Sequence, residues 1–311
     1  MKNVSYYFTS NKSEEELTRI ISDPLFTRIV SYLSERKEQD VILRQIKANI
    51  LTDKNLELYL DKLIKYNLIE RANRRYTLTF PIFSQGESLT LPDSITQSFR
   101  AVTQTESIST DYFVLGEWLW SLLFQEEQDP YFFGIELSSK SLPIFRKREE
   151  GNDLLRFVSV YPEELVPLDL ANYFNLLSRR QELPSHFEPL QNIIGDVNIH
   201  YFIPQMQKVL RAIKRNRTRD SKKNIFQEAL LVTGDLKKNE ENQLFLATPI
   251  LDSTEPSEAF QLALDKLKTE LPLLWEGIET NNQRLFYKQQ LYSFIVVNYL
   301  PIDQNYIKYF K

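Results

Sequence analysis

The chain has 311 residues, 42% hydrophobic and 13% aromatic; that is enough apolar material for about two domains of roughly 150 residues each, and it argues against extended disorder. Its 38 Lys+Arg against 42 Asp+Glu give a net charge of −4, so the molecule as a whole is not an obvious polyanion binder. There is no cysteine, which excludes disulfides, iron–sulfur clusters and thiol nucleophiles, and no two of the seven glycines (Gly86, Gly116, Gly134, Gly151, Gly195, Gly234, Gly277) lie within ten residues of each other. A Walker P-loop, a GxGxxG fingerprint and a GxSxG elbow need closely spaced glycines and are therefore absent.

Along the chain, Ser22-Asp23-Pro24 reads as a helix start: a short polar side chain can accept first-turn N–H groups, and proline loses nothing at the first helical position. Leu25, Phe26, Ile29, Val30 and Leu33 then recur at helical spacing. Asp40 is placed to cap a second, short helix with Val41, Leu43, Ile46 and Ile50 inward. The turn Leu51-Thr52-Asp53 leads into a third helix, Asp53–Tyr66, with Leu56, Leu60 and Leu63 on one face. Asn67 tolerates the left-handed conformation of a helix stop. Leu68-Ile69 begins a strand, Ala72-Asn73-Arg74 is a tight turn, and Tyr76–Thr79 returns with strand alternation. Three helices followed by a basic hairpin is the order of a winged helix-turn-helix, here over residues 1–83.

In a helix-turn-helix the second helix of the pair lies in the major groove. Its outward residues Lys54, Asn55, Lys62 and Lys65 suit phosphates and base edges, but Glu57 and Asp61 share that face and repel a polyanion. The hairpin is better suited, because Arg71, Arg74 and Arg75 cluster at its tip, where arginine can clamp phosphates or enter a minor groove. Residues 1–83 hold 14 Lys+Arg against 11 Asp+Glu, a net of +3, which is modest for a dedicated DNA-binding domain. Two partner classes follow: DNA or RNA on this face, or a protein docked on the same module.

The stretches DVILRQIK, NLELYLDKLIKYNLI and RRYTLTFPIF resemble an uncharacterised family of proteins from lactic-acid bacteria and their relatives. The resemblance covers about residues 20–85. It implies a winged-helix-like N-terminal segment and a cytoplasmic protein. The family has no assigned activity, so it lends no catalytic residue.

Residues 84–110, rich in Ser, Thr and Gln, read as a linker with a short helix at Ser94–Val102. Asp111–Glu127 is a strongly apolar helix carrying Trp118 and Trp120. Tyr131–Leu137, Leu142–Arg148 and Leu154–Tyr161 read as three strands of an antiparallel meander. Glu163–Arg180 reads as one long helix despite Pro167, and Val197–Ile203 as a short strand. Gln205–Lys223 is the most basic run, with Lys208, Arg211, Lys214, Arg215, Arg217, Arg219, Lys222 and Lys223 against Asp220. It is a second candidate for nucleic acid or an acidic partner, or else a solvated helix end. Ile225–Gly234 and Gln243–Leu251 look like a second hairpin around the polar loop Asp235–Asn242. Helices follow from Ser253-Thr254-Glu255-Pro256 onward, with breaks at Pro272 and near Pro301. Residues 111–311 thus read as an α+β domain with antiparallel strands and no legible role.

Only His186 and His200 are available as imidazole ligands, fourteen residues apart and with no HExxH, so no metal site is implied. Asp196 with Asp235-Leu236-Lys237 has the composition of a Mg²⁺ nuclease site, but the separation is long and the tripeptide reads as a loop. The longest apolar stretches, Tyr112–Phe124 and Leu291–Leu300, fall short of the roughly 20 residues that cross a bilayer, and Met1–Phe8 lacks the apolar core of a signal peptide. The sequence therefore reads as a cytoplasmic, non-enzymatic winged-helix regulator or nucleic-acid-associated protein, with no cofactor and no membrane partner. The alternative is a protein-docking module; a metal-dependent nuclease ranks third.

Overall fold

The computed structural model describes residues 4–9, 14–84, 90–103, 107–125, 130–137, 142–215, 224–251, 257–299 and 306–311. They form an α+β chain whose strands pair mostly antiparallel, in two compact units. The first unit gathers residues 1–89, 126–142 and 277–287, and the second gathers 90–125, 143–276 and 288–311. Both are discontinuous in sequence.

The first unit opens with a strand that the sequence does not announce, β1 (Val4–Thr9), followed by α1 (Glu14–Ile21) and α2 (Pro24–Ser34). Asp23 caps α2 by accepting from the Leu25 N–H at 3.0 Å, with Pro24 at the first helical position, as the sequence predicts. Then come α3 (Leu43–Asn49), α4 (Leu56–Lys65), β2 (Ile69–Ala72) and β3 (Arg75–Leu78). The expected cap at Asp40 is corrected. The chain stays extended through Ile42, and the Gln45 carboxamide accepts from the Ile42 N–H at 2.8 Å instead. The extension is used: the Tyr76 N–H donates to the Val41 carbonyl at 2.8 Å, and Ile42 bridges Arg75 antiparallel. The β2–β3 hairpin is thereby fastened to the segment before α3. Phe26, Ile29, Ile46, Leu60, Leu63 and Tyr76 close one apolar core beneath it.

The expected meander is also corrected. In chain order the next strands are β4 (Ile82–Ser84) and β5 (Tyr131–Glu136). Strand β5 leaves its sequence neighbours and lies between β1, antiparallel, and β4, parallel. Alternation decides why. Phe132 meets Tyr6, Phe8 and Phe80 on one face, while Phe133 meets Tyr7, Phe83 and Phe286 on the other. Both faces of β5 need aromatic cover, and β1 with β4 supplies it.

In the second unit, the short helix expected at Ser94–Val102 forms as α5 (Asp93–Thr103), which buries Ile95, Phe99 and Val102. Residues 108–124 form one continuous helix, α6 (Ile108–Tyr112) and α7 (Trp120–Phe124) joined by a π-helical stretch, Phe113–Leu119. The hairpin β6 (Phe145–Asn152) and β7 (Leu155–Pro162) forms as expected, but β7's other edge is taken by the last strand of the chain, Ile307–Phe310, which the sequence does not announce. The long helix expected over 163–180 shrinks to α8 (Leu170–Ser178), because a residue before proline disfavours helix and Asp169 starts a new one, accepting from the Asn172 N–H at 2.8 Å. Then come α9 (Glu188–Ile194) and α10 (Ile199–Lys214). The expected strand at 197–203 is part of α10: Asn198 caps it, and Phe202, Ile203, Met206, Val209, Leu210 and Ile213 are buried at helical spacing. Seven residues of alternation cannot show that period.

Ile225–Val232 is likewise a helix, α11, capped by Asn224, and the second hairpin is confined to β8 (Leu236–Lys238) and β9 (Leu244–Leu246). The start expected at 253–256 lies outside the described residues, and α12 (Glu258–Glu270) begins behind a Ser257 cap. The break at Pro272 appears as a short 3-10 turn before α13 (Asn281–Tyr299), and Ile307–Phe310 ends the chain as β10.

Within this unit Gly116 is a tight point. A Cβ there would lie 2.7 Å from Tyr309 Cε1 and 2.8 Å from its hydroxyl. Tyr309 is only 1% exposed and its hydroxyl donates to Glu117 at 2.5 Å, so it has little room to withdraw. Gly116→Ala should therefore destabilise the protein by about 1–3 kcal/mol through overpacking, read as a lower urea midpoint for this unit. An unchanged midpoint would show that Tyr309 can move aside.

Candidate nucleic-acid interface

The hairpin, α4 and the two residues before it, Lys54 and Asn55, hold every candidate of the N-terminal set, and the structure sorts them by what each side chain already does. The two residues between β2 and β3, Asn73 and Arg74, both have positive φ (51° and 66°), the geometry of a type I′ turn. Asparagine suits the first of these positions. Glycine is the usual occupant of the second, since a left-handed residue with a side chain costs roughly 1–2 kcal/mol. Arg74 is exposed and contacts no acid or ring among the described residues. Its neighbours are engaged: Arg71 lies 5.6 Å from the centre of the Tyr76 ring, and Arg75 pairs with Asp40 at 2.9 Å.

The helix face is more fully neutralised. Asn55 is the cap of α4, accepting from the Leu58 N–H at 3.2 Å, and is not a free base-reading group. Lys54 pairs with Asp23 at 2.5 Å and Lys62 with Glu16 at 3.3 Å, while Lys65 lies 5.8 Å from the Tyr66 ring. Burial alone would raise the Asp23 carboxyl; the Lys54 ammonium, the Leu25 N–H and Arg28 outweigh it and hold it below its ordinary value. Glu16 is lowered first by the Tyr66 hydroxyl and then by Lys62, against a smaller burial effect. Lys47, at the end of α3, pairs with Glu57 and lowers it in the same way. The partners Asp23, Glu16 and Asp40 come from distant parts of the chain, so spacing along α4 cannot reveal them. Two exposed leucines on this surface also escape a reading for charge: Leu51 is 81% exposed and Leu58 66%. Leu51 rims a groove of about 270 Å³ between the end of α3 and the start of α4, with Lys47 and Lys54 beside it.

Of the second basic run, Lys208, Arg211, Lys214 and Arg215 are exposed on or just after α10, whereas Arg217, Arg219, Lys222 and Lys223 lie outside the described residues. Asp235 is not a metal-binding carboxylate in an open site. It is 2% exposed, accepts from the Thr233 and Thr248 hydroxyls at 2.5 Å each, and pairs with Lys308 at 2.9 Å. Neither Asp196 nor Lys237 is among its partners. His186 contacts the Val166 carbonyl, and His200 sits on α10 rather than in a strand. Among the described residues no group of three or more acids and histidines could hold a metal ion, and no helix is long and apolar enough to cross a membrane.

Two acids in the second unit, the buried Asp169 and the partly buried Glu117, carry opposite shifts. Burial alone would raise Glu117, but hydrogen bonds from Lys147, Lys311 and Tyr309 outweigh it and hold the carboxyl below its usual range. Asp169 is raised to about 6, chiefly by burial, against the hydrogen bonds from Asn172.

In comparison with known proteins, the family model for a domain of unknown function (DUF1803) matches residues 5–111. No curated protein and no solved structure matches.

A raised folded-state pKa contributes stability that is present below the unfolded value, near 4, and is lost as pH rises through about 6. Asp169→Asn should therefore gain stability relative to the parent across that window, by on the order of 2–3 kcal/mol, and hold a constant difference above it. Urea unfolding at several pH values measures this. A parent-to-variant difference that is flat between about pH 4 and 7 would mean that Asp169 does not titrate differently in the fold.

Proposed function

We propose that residues 14–84 form a winged helix that contacts nucleic acid, with α4 as the recognition helix and the β2–β3 hairpin as the wing, in a non-enzymatic regulatory or nucleic-acid-associated protein. One observation carries the reading: Arg74, with no acid against it among the described residues, occupies the left-handed tip position of a fastened hairpin, where glycine would cost nothing. The fastening supports it further. The Val41–Tyr76 hydrogen bond and the Ile42–Arg75 bridge give the wing a third short strand, so the tip is held in a fixed place beside α4. The ion pairs of Lys54, Lys62 and Arg75 do not stand in the way, because exposed pairs of this kind are worth about 0–1 kcal/mol and a phosphate can replace the carboxylate.

A second reading, docking of a protein on the same face, is favoured by a different observation. The cations there are balanced by Asp23, Glu16, Asp40 and Glu57, while Leu51 and Leu58 stand exposed among them. A near-neutral face with apolar centres suits a protein partner better than a phosphate backbone.

Salt and one substitution separate the two. Binding to mixed genomic DNA or RNA should appear at about 50 mM salt and fall steeply by about 200 mM. Arg74→Gly should leave the unfolding midpoint unchanged or higher, since glycine relieves the turn, yet weaken nucleic-acid binding. Replacing Arg71, Arg74 and Arg75 together by Ala should lower the salt slope by about one for each phosphate no longer held. If neither variant changes binding while Leu58→Asp abolishes a protein complex that survives nuclease, docking is the function of this face.

A further inference from the structure

We propose that the solvent face of α10 is a second, separate binding surface, for a single strand of nucleic acid, with Lys208, Arg211 and Arg215 holding phosphates and Tyr201 stacking on a base. The inference goes beyond the winged-helix reading and does not depend on it, since every residue involved belongs to the second unit. Helix α10 buries one stripe in the apolar core and leaves the other bare. Tyr201, Pro204, Lys208, Arg211 and Arg215 are all exposed and follow one another at steps of three and four, so they share one face. The stripe runs about 21 Å along the helix axis, at about 1.5 Å per residue.

Its charge is not compensated within the described residues. Several cations elsewhere in this unit lie against carboxylates: Arg146 on Glu163, Lys147 on Glu117, and Arg156 on Glu149 and Asp153. Among the described residues Arg211 and Arg215 contact no acid, and Lys208 reaches only the Gln205 carboxamide at 3.2 Å. Three cations without a carboxylate thus follow one another along a single helix face. The attraction of cations to a helix C-terminus accounts for the last turn alone, because the dipole's effect fades within it; Lys208 lies further back. An exposed aromatic ring completes the arrangement. Tyr201 is 59% exposed and only grazes Phe226, with ring centres 6.4 Å apart, so one face is open to a base. Cations that track a backbone beside a ring that accepts any base are the two elements of sequence-tolerant single-strand binding.

The test uses the full-length protein and a fluorescein-labelled oligothymidylate of about twenty nucleotides, followed by anisotropy at salt from about 50 to 200 mM. Lys208→Ala, Arg211→Ala and Arg215→Ala together should weaken binding at least about tenfold at the lowest salt and reduce the salt slope by about two, at roughly 0.7 per phosphate on a single strand. Tyr201→Ala should weaken binding with the slope unchanged, and Tyr201→Phe should restore it, which separates stacking from a structural role of the ring. Arg74→Gly should leave this binding as it is, so failure of the winged-helix reading and failure of this one are distinguishable. The proposal is overturned if the parent does not bind the oligonucleotide at about 50 mM salt, if the triple variant keeps the parent's affinity and slope, or if polyglutamate competes as well as an equal charge of oligonucleotide.

Discussion

The second unit depends on one strand pairing. Strand β7 runs through its middle, and β10, drawn from the far end of the chain, closes its free edge with a register that sets Phe310 opposite Phe157. Backbone bonds in both directions between Arg156 and Lys311 finish the ladder. Because successive side chains point to opposite faces, β10 serves two environments at once. Phe310 joins the apolar cluster built on α8, α9 and α10. Tyr309 packs against Gly116 and donates to Glu117, while Lys308 anchors on Asp235 and the Thr233 carbonyl. The polar groups that the strand buries thus find partners, which is the condition under which buried charge is tolerated. The same contacts engage both carboxylates: Asp235 holds Lys308 together with the Thr233 and Thr248 hydroxyls, and Glu117 holds Tyr309 and Lys311 together with Lys147.

The first unit solves a different problem, that of holding a hairpin of four-residue strands in place. Two-stranded hairpins are marginal alone. Here Tyr76 is buried in the core, and its N–H is bonded to Val41, so the hairpin is pinned by its own strand rather than by its loop. That leaves the tip free of structural duty. The electrostatics of the neighbouring helix follow from the same economy: an acidic residue faces Lys54 and another faces Lys62, which keeps that surface near neutral, while Arg74 at the tip has no acid against it among the described residues.

How much of this is legible in the sequence depends on the range of the interaction that decides each element. The cap at Asp23 and the stop at Asn67 are local events, settled within a few residues, and the sequence announces both. The turn at Asn73-Arg74 and the β6–β7 hairpin are local in the same sense. The strands β1, β4 and β10 are hidden because their partners lie far away in sequence, and alternation tells which face is buried but not what lies alongside. Val197–Ile203 and Ile225–Gly234 look like strands for another reason: each is a short apolar run whose helix is declared by an asparagine cap at its start, Asn198 within the first and Asn224 just before the second, and by apolar positions further on. At the candidate interface, the residue types are legible and their availability is not. Asn55 has the side chain of a base reader and serves as a cap.

The placement of β5 has a consequence for how this protein can be divided. The strand lies between β1 and β4, yet nearly fifty residues of the chain, including all of α5, come between β4 and β5. A fragment that ends after β4 but before residue 131 would retain α1–α4 and the hairpin but lose the strand that covers Tyr6, Phe8 and Phe80. Two strands would then present open backbone edges with aromatic rings on either face, the combination that recruits other chains. The boundary at which the N-terminal unit can be cut out as a well-behaved piece is therefore set by a sheet whose middle strand arrives last, and no contiguous segment from the N-terminus that stops short of β5 contains it.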